Sequence, residues 1–296
     1  MASPKEIKQK LNTISAINEI TQIYQEIASI RIKETLDGVL KTRFFLDGLA
    51  KIYNHVKAAY LVLLKKEISS ARENLSEISF IKKNGKQLAV FLSANSQFYG
   101  SLIVDGWNLL KIFLNNKKME VAIVGKIGQA LFKEQPLNLK TFFFDLEDER
   151  PSEKNLKIIV DFIKNYEKIL VFHGKFYSFL NQEMIITDIS GGITLKEILE
   201  KESQLEKQYK KYLVEPSFEE LLDFFETEIV SALFNQTILE HQLARFGSRM
   251  IAMDNANQNA KKIIKKLKQE SINLEKQIFN KKQLQNVIAL KNWNQK

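Results

Sequence analysis

The first part of the chain carries apolar residues at every third or fourth position, which is the spacing of one helix face. Ser3, Pro4 and Glu6 precede this pattern in the order of a capping box and predict that the helix begins there. Gly38 and Gly48 interrupt it, and each costs about 1 kcal/mol relative to alanine inside a helix. They predict either a bend or a tolerated cost. The apolar positions predicted to face a partner helix are Ile7, Leu11, Ile14 and Ile20.

A second helical pattern follows Pro216 and runs almost to the end of the chain. Ser217 and Glu220 repeat the Ser-x-x-Glu start, and Gly247 is the single glycine beyond them. A helix of this length would reach about 110 Å, which exceeds the needs of a globular core and is typical of a coiled coil. Two long helices at opposite chain ends pair most simply in antiparallel fashion. The positions predicted to pack in this segment are Met250, Met253, Ala256, Ala260, Ile263 and Leu267.

Asn255 and Asn259 lie four residues apart beside this predicted seam. Asparagine is a mediocre helix former, so two on one face indicate hydrogen bonds to a partner helix. Plain amphipathic packing and a polar device that fixes the register both remain open.

The middle of the chain, residues 82–192, alternates short apolar runs with helical stretches. This alternation predicts an α/β domain with a mostly parallel sheet. The fold class predicted for the whole chain is α plus α/β: a long antiparallel coiled coil of N- and C-terminal helices with an inserted Rossmann-like α/β domain. The predicted domains are 1–75, 76–210 and 211–296. The predicted strands are 88–93, 120–125, 141–146, 169–173 and 184–189, and the predicted helices between them include 102–114 and 152–166.

Composition limits the classes of function. The 296 residues include no cysteine, which excludes disulfides and thiolate metal sites. Lysines interrupt the N-terminal apolar residues, and no uncharged apolar run approaches the roughly 20 residues of a membrane span, so we expect a cytoplasmic protein. The net charge of +9 fits nucleic acid, an anionic membrane surface or an acidic protein partner.

Motifs for catalysis or cofactor binding are missing from the sequence. It contains no phosphate-binding loop and no dinucleotide fingerprint, and Gly125 to Gly128 predicts a strand-to-helix turn. The three histidines show no metal-ligand spacing. We therefore expect no cofactor, no metal site and no enzymatic activity of the chain itself. Residues 147–149 (Glu-Asp-Glu) predict a solvated loop or, less favourably, a weak cation site.

Residues 244–260, ARFGSRMIAMDNANQNA, closely resemble the C-terminal helix of the F-type ATP synthase gamma subunit family. The resemblance extends to residues 212–222 and 1–21, and more loosely to 122–128 and 172–182, so it spans nearly the whole chain. The residues that carry it are Arg249, Met250, Ala252, Met253, Asn255, Ala256, Asn259 and Ala260.

This resemblance implies a non-catalytic central shaft that couples rotation to ATP hydrolysis or synthesis. The implied partners are a hexameric ring of nucleotide-binding alpha- and beta-like subunits, a small epsilon-like rotor subunit and a membrane ring or other machinery, with no nucleic acid. The implied location is peripheral to the inner face of the cell membrane. The rival class is a stand-alone basic coiled-coil protein that binds nucleic acid or a membrane surface.

Two departures from the family pattern leave open which type of rotary ATPase the chain belongs to. Residues 94–102 (ANSQFYGSL) replace a glycine-rich turn, and the usual C-terminal Thr-Gln-Glu residues give way to basic ones. A paralogous F-like ATPase that powers another process, such as gliding motility, therefore stays open as an alternative.

Partner contacts are predicted at two places in the C-terminal segment. Lys276 and Gln277 match the family's Arg-Gln pair, and the lysine loses bidentate hydrogen bonding, which predicts a weaker contact. The second place is a lysine run that fits a solvated coiled-coil face, a membrane or nucleic-acid helix, or a shaft face turning within acidic stator loops. Its predicted contact residues are Lys261, Lys262, Lys265 and Lys266.

Overall fold

The computed structural model describes residues 3–67, 83–115, 117–190, 215 and 217–293. The predicted order of helix, α/β insert and helix is confirmed. The predicted domain boundaries near residues 75 and 210 lie outside the described residues and stay predictions. The elements are α1 (Pro4–Glu67), β1 (Gln87–Leu92), α2 (Leu102–Leu114), β2 (Glu120–Val124), α3 (Lys126–Glu134), β3 (Thr141–Phe144), α4 (Glu153–Ile163), β4 (Lys168–Ser178), β5 (Asn181–Asp188) and α5 (Phe218–Trp293).

The long helices α1 and α5 begin where their capping signals predict. The Ser3 backbone N–H donates to Glu6 Oε2 at 3.2 Å, and the Glu6 N–H donates to Ser3 Oγ at 3.3 Å, which completes a reciprocal capping box. The Glu220 N–H donates to Ser217 Oγ at 3.2 Å at the start of α5. α1 runs for 64 residues without interruption at Gly38 or Gly48, so the two glycines are a tolerated cost.

The five-stranded sheet has the order β3-β2-β1-β4-β5. Strands β1 to β4 are parallel, and β5 joins β4 in antiparallel fashion. Because β2 and β4 flank β1 on opposite sides, the chain reverses its direction of travel at β1. The carboxyl ends of β1 and β4 therefore border the crevice at which Rossmann-like sheets usually hold ligands.

Helices cover both faces of this sheet, as a parallel sheet requires. Alternate residues of each strand point to opposite faces. Phe91 and Ile123 belong to the core shared with α2, while Val90 and Ala122 belong to the core shared with α1, α4 and α5.

The chain divides into two compact units. One comprises Met1–Ser29 and Arg249–Lys296, and the other comprises Ile30–Ser248, which includes the sheet. None of the described helices has a stretch long and apolar enough to cross a membrane.

In the first unit, buried and half-buried positions follow alternating steps of three and four on both helices. This is the 3.5-residue period of a coiled coil. On α1 the positions are Ile7, Leu11, Ile14, Asn18, Thr21, Gln25 and Ala28, and on α5 they are Met250, Met253, Asn257, Ala260, Ile264, Leu267, Ser271 and Leu274.

The predicted antiparallel pairing of the two helices is visible within the second unit. Arg43 Nη2 donates to Glu240 Oε1 at 3.1 Å, and the Tyr53 hydroxyl donates to Glu226 Oε1 at 3.2 Å. As residue numbers rise along α1, the numbers of their partners on α5 fall. The helices therefore run in opposite directions.

Candidate partner-contact surface

The four lysines predicted to meet a partner lie on the outer side of α5. Ile264 and Leu267, which alternate with them in the sequence, are half-buried on the seam. The heptad spacing that turns these apolar residues inward turns the lysines toward solvent. Lys261, Lys262, Lys265 and Lys266 are all exposed.

Lys276 and Gln277 lie in a fully exposed part of α5. Every side chain from Glu275 to Val287 is exposed. This part also carries large apolar residues: Ile278 is 42% exposed, Phe279 60%, Leu284 62% and Val287 61%. The partner-contact role of Lys276 and Gln277 stays a prediction.

The residues predicted for coiled-coil packing occupy three environments. Ile7, Met253 and Ala260 are buried. Ile20 and Ile263 are exposed, at 52% and 45%. Half-buried positions are held by Leu11, Ile14, Met250, Ala256 and Leu267. The packing assignment as a whole stays a prediction.

A buried asparagine occurs on α5, but at a position that the sequence analysis missed. Asn255 and Asn259 are exposed, whereas Asn257 between them is 6% exposed on the seam. The seven-residue spacing that links Asn257 to Met250 and Ile264 is the signal that would have found it.

The segment Glu147–Glu149, the acidic loop, lies between β3 and α4. Its side chains contact α1, the start of α4 and α5. Glu147 accepts hydrogen bonds from the Ser152 N–H at 2.9 Å and from Asn155 Nδ2 at 3.1 Å, at the start of α4. Glu149 Oε2 accepts from Arg31 Nη2 of α1 at 2.7 Å. The loop is therefore a connector, and each carboxylate serves protein donors.

Asp148, in the middle of the acidic loop, faces α5. Its Oδ1 accepts a hydrogen bond from Arg245 Nη1 at 2.6 Å, and the two side chains are 10% and 5% exposed. The N–H groups of Asn95 and Ser96 donate to the same carboxylate at 2.9 and 2.8 Å. Burial alone would raise the pKa of Asp148, but Arg245 and these hydrogen bonds outweigh it and lower that pKa.

His241 is seated beside Arg245 in the crevice between β1 and β4. Its Nδ1 accepts from the Gly174 N–H at 2.9 Å, so Nε2 carries the proton and donates to the Ser93 carbonyl at 3.0 Å. Burial, together with the positive charge of Arg245, holds the pKa of His241 well below its ordinary value. The imidazole is therefore neutral, and its role is structural.

The start of α3, where a nucleotide-binding sheet would cradle a phosphate, is occupied by the chain's own acceptors. The Lys126 N–H donates to Asn95 Oδ1 at 2.8 Å, and the Gly128 N–H donates to Ser93 Oγ at 3.0 Å. Gly125 adopts a φ of +102°, which only glycine tolerates easily. The predicted strand-to-helix turn is present, and its amides are already satisfied.

Comparison with known proteins decides the family. The family model described as ATP synthase matches residues 3–277. The chain belongs to the ATP synthase gamma family. The ATP synthase gamma chain of Ruthia magnifica subsp. Calyptogena magnifica is 26% identical over 281 residues, which cover 90% of this chain and 91% of that relative.

Solved structures agree on the fold. The rotor of the Euglena gracilis mitochondrial ATP synthase has a chain of 16% identity and TM-score 0.57, with 93% of this chain and 98% of that one covered. A chain of the Euglena gracilis OSCP/F1/c-ring assembly has 14% identity and TM-score 0.54, with 96% and 94% covered.

Family membership confirms the main functional prediction. The chain is a non-catalytic rotor subunit of the central stalk. It is part of a membrane-associated complex and lies peripheral to the membrane. No observation favours a motility machine or a stand-alone nucleic-acid-binding protein over this role.

Proposed function

We propose that the chain is a shaft that turns inside a hexameric ring of alpha- and beta-like nucleotide-binding subunits. Rotation would present different sides of an asymmetric coiled coil to each catalytic site in turn. In this way the shaft couples rotation to ATP hydrolysis or synthesis. The observation that carries the proposal is the exposed part of α5 from Glu275 to Val287.

Apolar residues in this part of α5 point in several directions. At 100° per residue, Ile278, Phe279, Leu284 and Val287 spread over roughly 240° of the helix circumference. Exposed apolar surface of this kind marks a contact with another protein. A partner that docks on one side would leave part of it in water. A ring that encloses the helix covers all of it.

The four exposed lysines suit a contact that must slide. An exposed ion pair contributes at most about 1 kcal/mol and imposes little direction. Lys261, Lys262, Lys265 and Lys266 therefore provide attraction to acidic stator loops without locking the shaft at one angle. This favours an acidic protein partner among the three explanations of the basic charge.

The remaining partners follow from the same role. We assign the α/β insert to contacts with a small epsilon-like rotor subunit and with a membrane ring. The complex would then stand at the inner, cytoplasmic face of the cell membrane.

Affinity purification from the native cells tests the assembly. A tagged chain is expected to bring down nucleotide-binding ring subunits and ATP hydrolysis activity that the isolated chain lacks. Recovery of the chain alone, or with nucleic acid, would contradict the proposal.

The contact at Lys276 and Gln277 is tested in the same assembly. The double variant Lys276→Ala, Gln277→Ala is expected to lower the ATPase rate because it removes the predicted contact with the catalytic subunits. Lys282→Ala, Gln283→Ala is the matched control, since it removes the same two residue types from the same exposed part of α5. Equal losses in the two variants would refute a specific role for Lys276 and Gln277.

A further inference from the structure

The acidic loop joins the insert to both long helices. Glu149 Oε2 accepts a hydrogen bond from Arg31 Nη2 of α1 at 2.7 Å, and Asp148 Oδ1 accepts one from Arg245 Nη1 of α5 at 2.6 Å. All four residues belong to the unit that contains the sheet. One short loop of the insert therefore contacts both α1 and α5.

The contact with α5 is more constrained than the contact with α1. Arg245 donates from Nη1 to Asp148 Oδ1 and from Nη2 to the Asp148 carbonyl at 3.0 Å. A further bond runs from Nη1 to the Ser93 carbonyl at 3.3 Å. Glu149 is exposed, whereas Asp148 and Arg245 are almost fully enclosed. Charge-assisted hydrogen bonds with this geometry fix an orientation as well as a distance.

A rotor needs such a contact wherever its parts must turn together. Apolar surfaces resist separation, but they are non-directional and so resist sliding poorly. Leu222, Ile229, Leu233 and Ile238 supply the apolar part of the contact between α5 and the insert. The Asp148–Arg245 pair adds a directional contact between α5 and the insert. His241 of α5 adds another through its hydrogen bonds with Gly174 and Ser93.

We infer that the acidic loop is a torque lock, in which the hydrogen bonds that Arg245 donates to Asp148 make the insert turn with the shaft. This inference rests on the proposed rotary function. The loop passes load between α5 and the insert, so that a partner bound to the insert turns through the same angle as the shaft.

Distance measurements on the full chain test the lock without the rest of the machine. The chain has no cysteine, so Ile112→Cys on α2 and Asp223→Cys on α5, both at exposed positions, accept spin labels without background. Pulsed electron paramagnetic resonance then gives the distribution of distances between insert and shaft. Asp148→Asn is expected to broaden this distribution relative to the parent chain.

The acidic loop provides its own control. Glu147→Gln removes one carboxylate charge one residue away, but Glu147 bonds only residues of the insert among its described contacts. Its distance distribution is expected to match the parent chain. If Asp148→Asn, with native circular dichroism, also matched the parent chain, the lock would be wrong. Arg245→Lys keeps the charge, loses the forked donors and is expected to broaden the distribution should Asp148→Asn fail to fold.

The assembled ATPase tests the mechanical consequence. A probe attached at Ile112→Cys reports the rotation of the insert. In the Asp148→Asn variant this probe is expected to lag behind the shaft under load while the ATP hydrolysis rate is unchanged. In the Glu147→Gln variant the probe is expected to rotate as in the parent chain. Equal rotation of the two variants would overturn the lock. Absence of rotation with the parent chain would overturn the rotary function instead, and the distance measurements would still decide whether the loop fixes the insert.

Discussion

His241 and Arg245 of α5 occupy the crevice between β1 and β4. In other Rossmann-like sheets this crevice usually holds a ligand. His241 is almost fully buried and neutral, with its two ring nitrogens bonded to the backbone of Gly174 in β4 and of Ser93 directly after β1. A second buried histidine, His173, bonds Thr187 Oγ1 at 2.8 Å, and burial lowers its pKa as well. Both histidines therefore resist protonation in the folded chain.

This resistance predicts a pH dependence of stability. The pKa of His241 is lowered by folding, whereas the unfolded chain keeps a value of about 6.5. Below that pH the unfolded chain binds more protons, so the free energy of unfolding falls by up to about 1.4 kcal/mol per pH unit for each such histidine.

Urea denaturation at several pH values measures this slope. His241→Gln is expected to reduce the slope below about pH 6.5, because the substituted side chain does not titrate. Asp148 does not affect this slope. Folding lowers the pKa of Asp148, so the stability that its carboxylate contributes is lost only as the pH falls below the ordinary pKa of 3.8. An unchanged slope in the variant would show that His241 is not the titrating group.

The acidic loop shows where sequence reasoning fails for single residues. A solvated loop is the right description of Glu147 and Glu149, but it is wrong for Asp148. Its partner Arg245 lies 97 positions away in the sequence. Charge and local pattern cannot identify such a pair, because only the packing of α5 against the sheet brings the two residues together.

Helix starts, in contrast, were predictable because their causes are local. Both Ser-x-x-Glu signals lie within four residues of the backbone groups that they cap. Glycine effects are local in the same sense. Gly48 occupies an exposed position on α1, and an added Cβ there meets no atom within 4 Å.

Gly48→Ala is expected to stabilise the chain by about 0.5 to 1 kcal/mol, because alanine loses less conformational entropy in a helix. Gly128→Ala in α3 is the opposing case, since its Cβ would lie 2.7 Å from Ile123 Cγ2 and from Ser93 Oγ. Urea denaturation should show opposite shifts for the two variants. A destabilising Gly48→Ala would contradict an uninterrupted α1.

The coiled coil of the two long helices was predictable from the sequence, whereas the register of its seam was not. The stripe of Ala252, Ala256 and Ala260 repeats every four residues, so it drifts around the helix relative to a seam with a period of 3.5. The stripe meets the seam at Ala260 and leaves it at Ala256, while Asn257 takes the buried position. The register depends on the partner helix, which a single helix sequence does not contain.

At the scale of the whole molecule, the alternation of strands and helices was enough to predict a mostly parallel sheet. The strand order could not be predicted, because it depends on which way each crossover turns. That order creates the crevice at β1, and residues 94–102, which depart from the family pattern, border it. Asn95 and Ser93 cap α3 there, and His241 of α5 fills the rest. A scaffold common among nucleotide-binding proteins thus serves here to hold a helix.

Rotation of this chain within an ATPase can be observed directly. The most direct measurement is single-molecule observation of the purified complex, with its ring immobilised and a probe attached at Ile112→Cys. We expect rotation in one direction that starts with ATP and stops when ATP is exhausted. A complex that hydrolyses ATP while the probe only fluctuates about one position would contradict it.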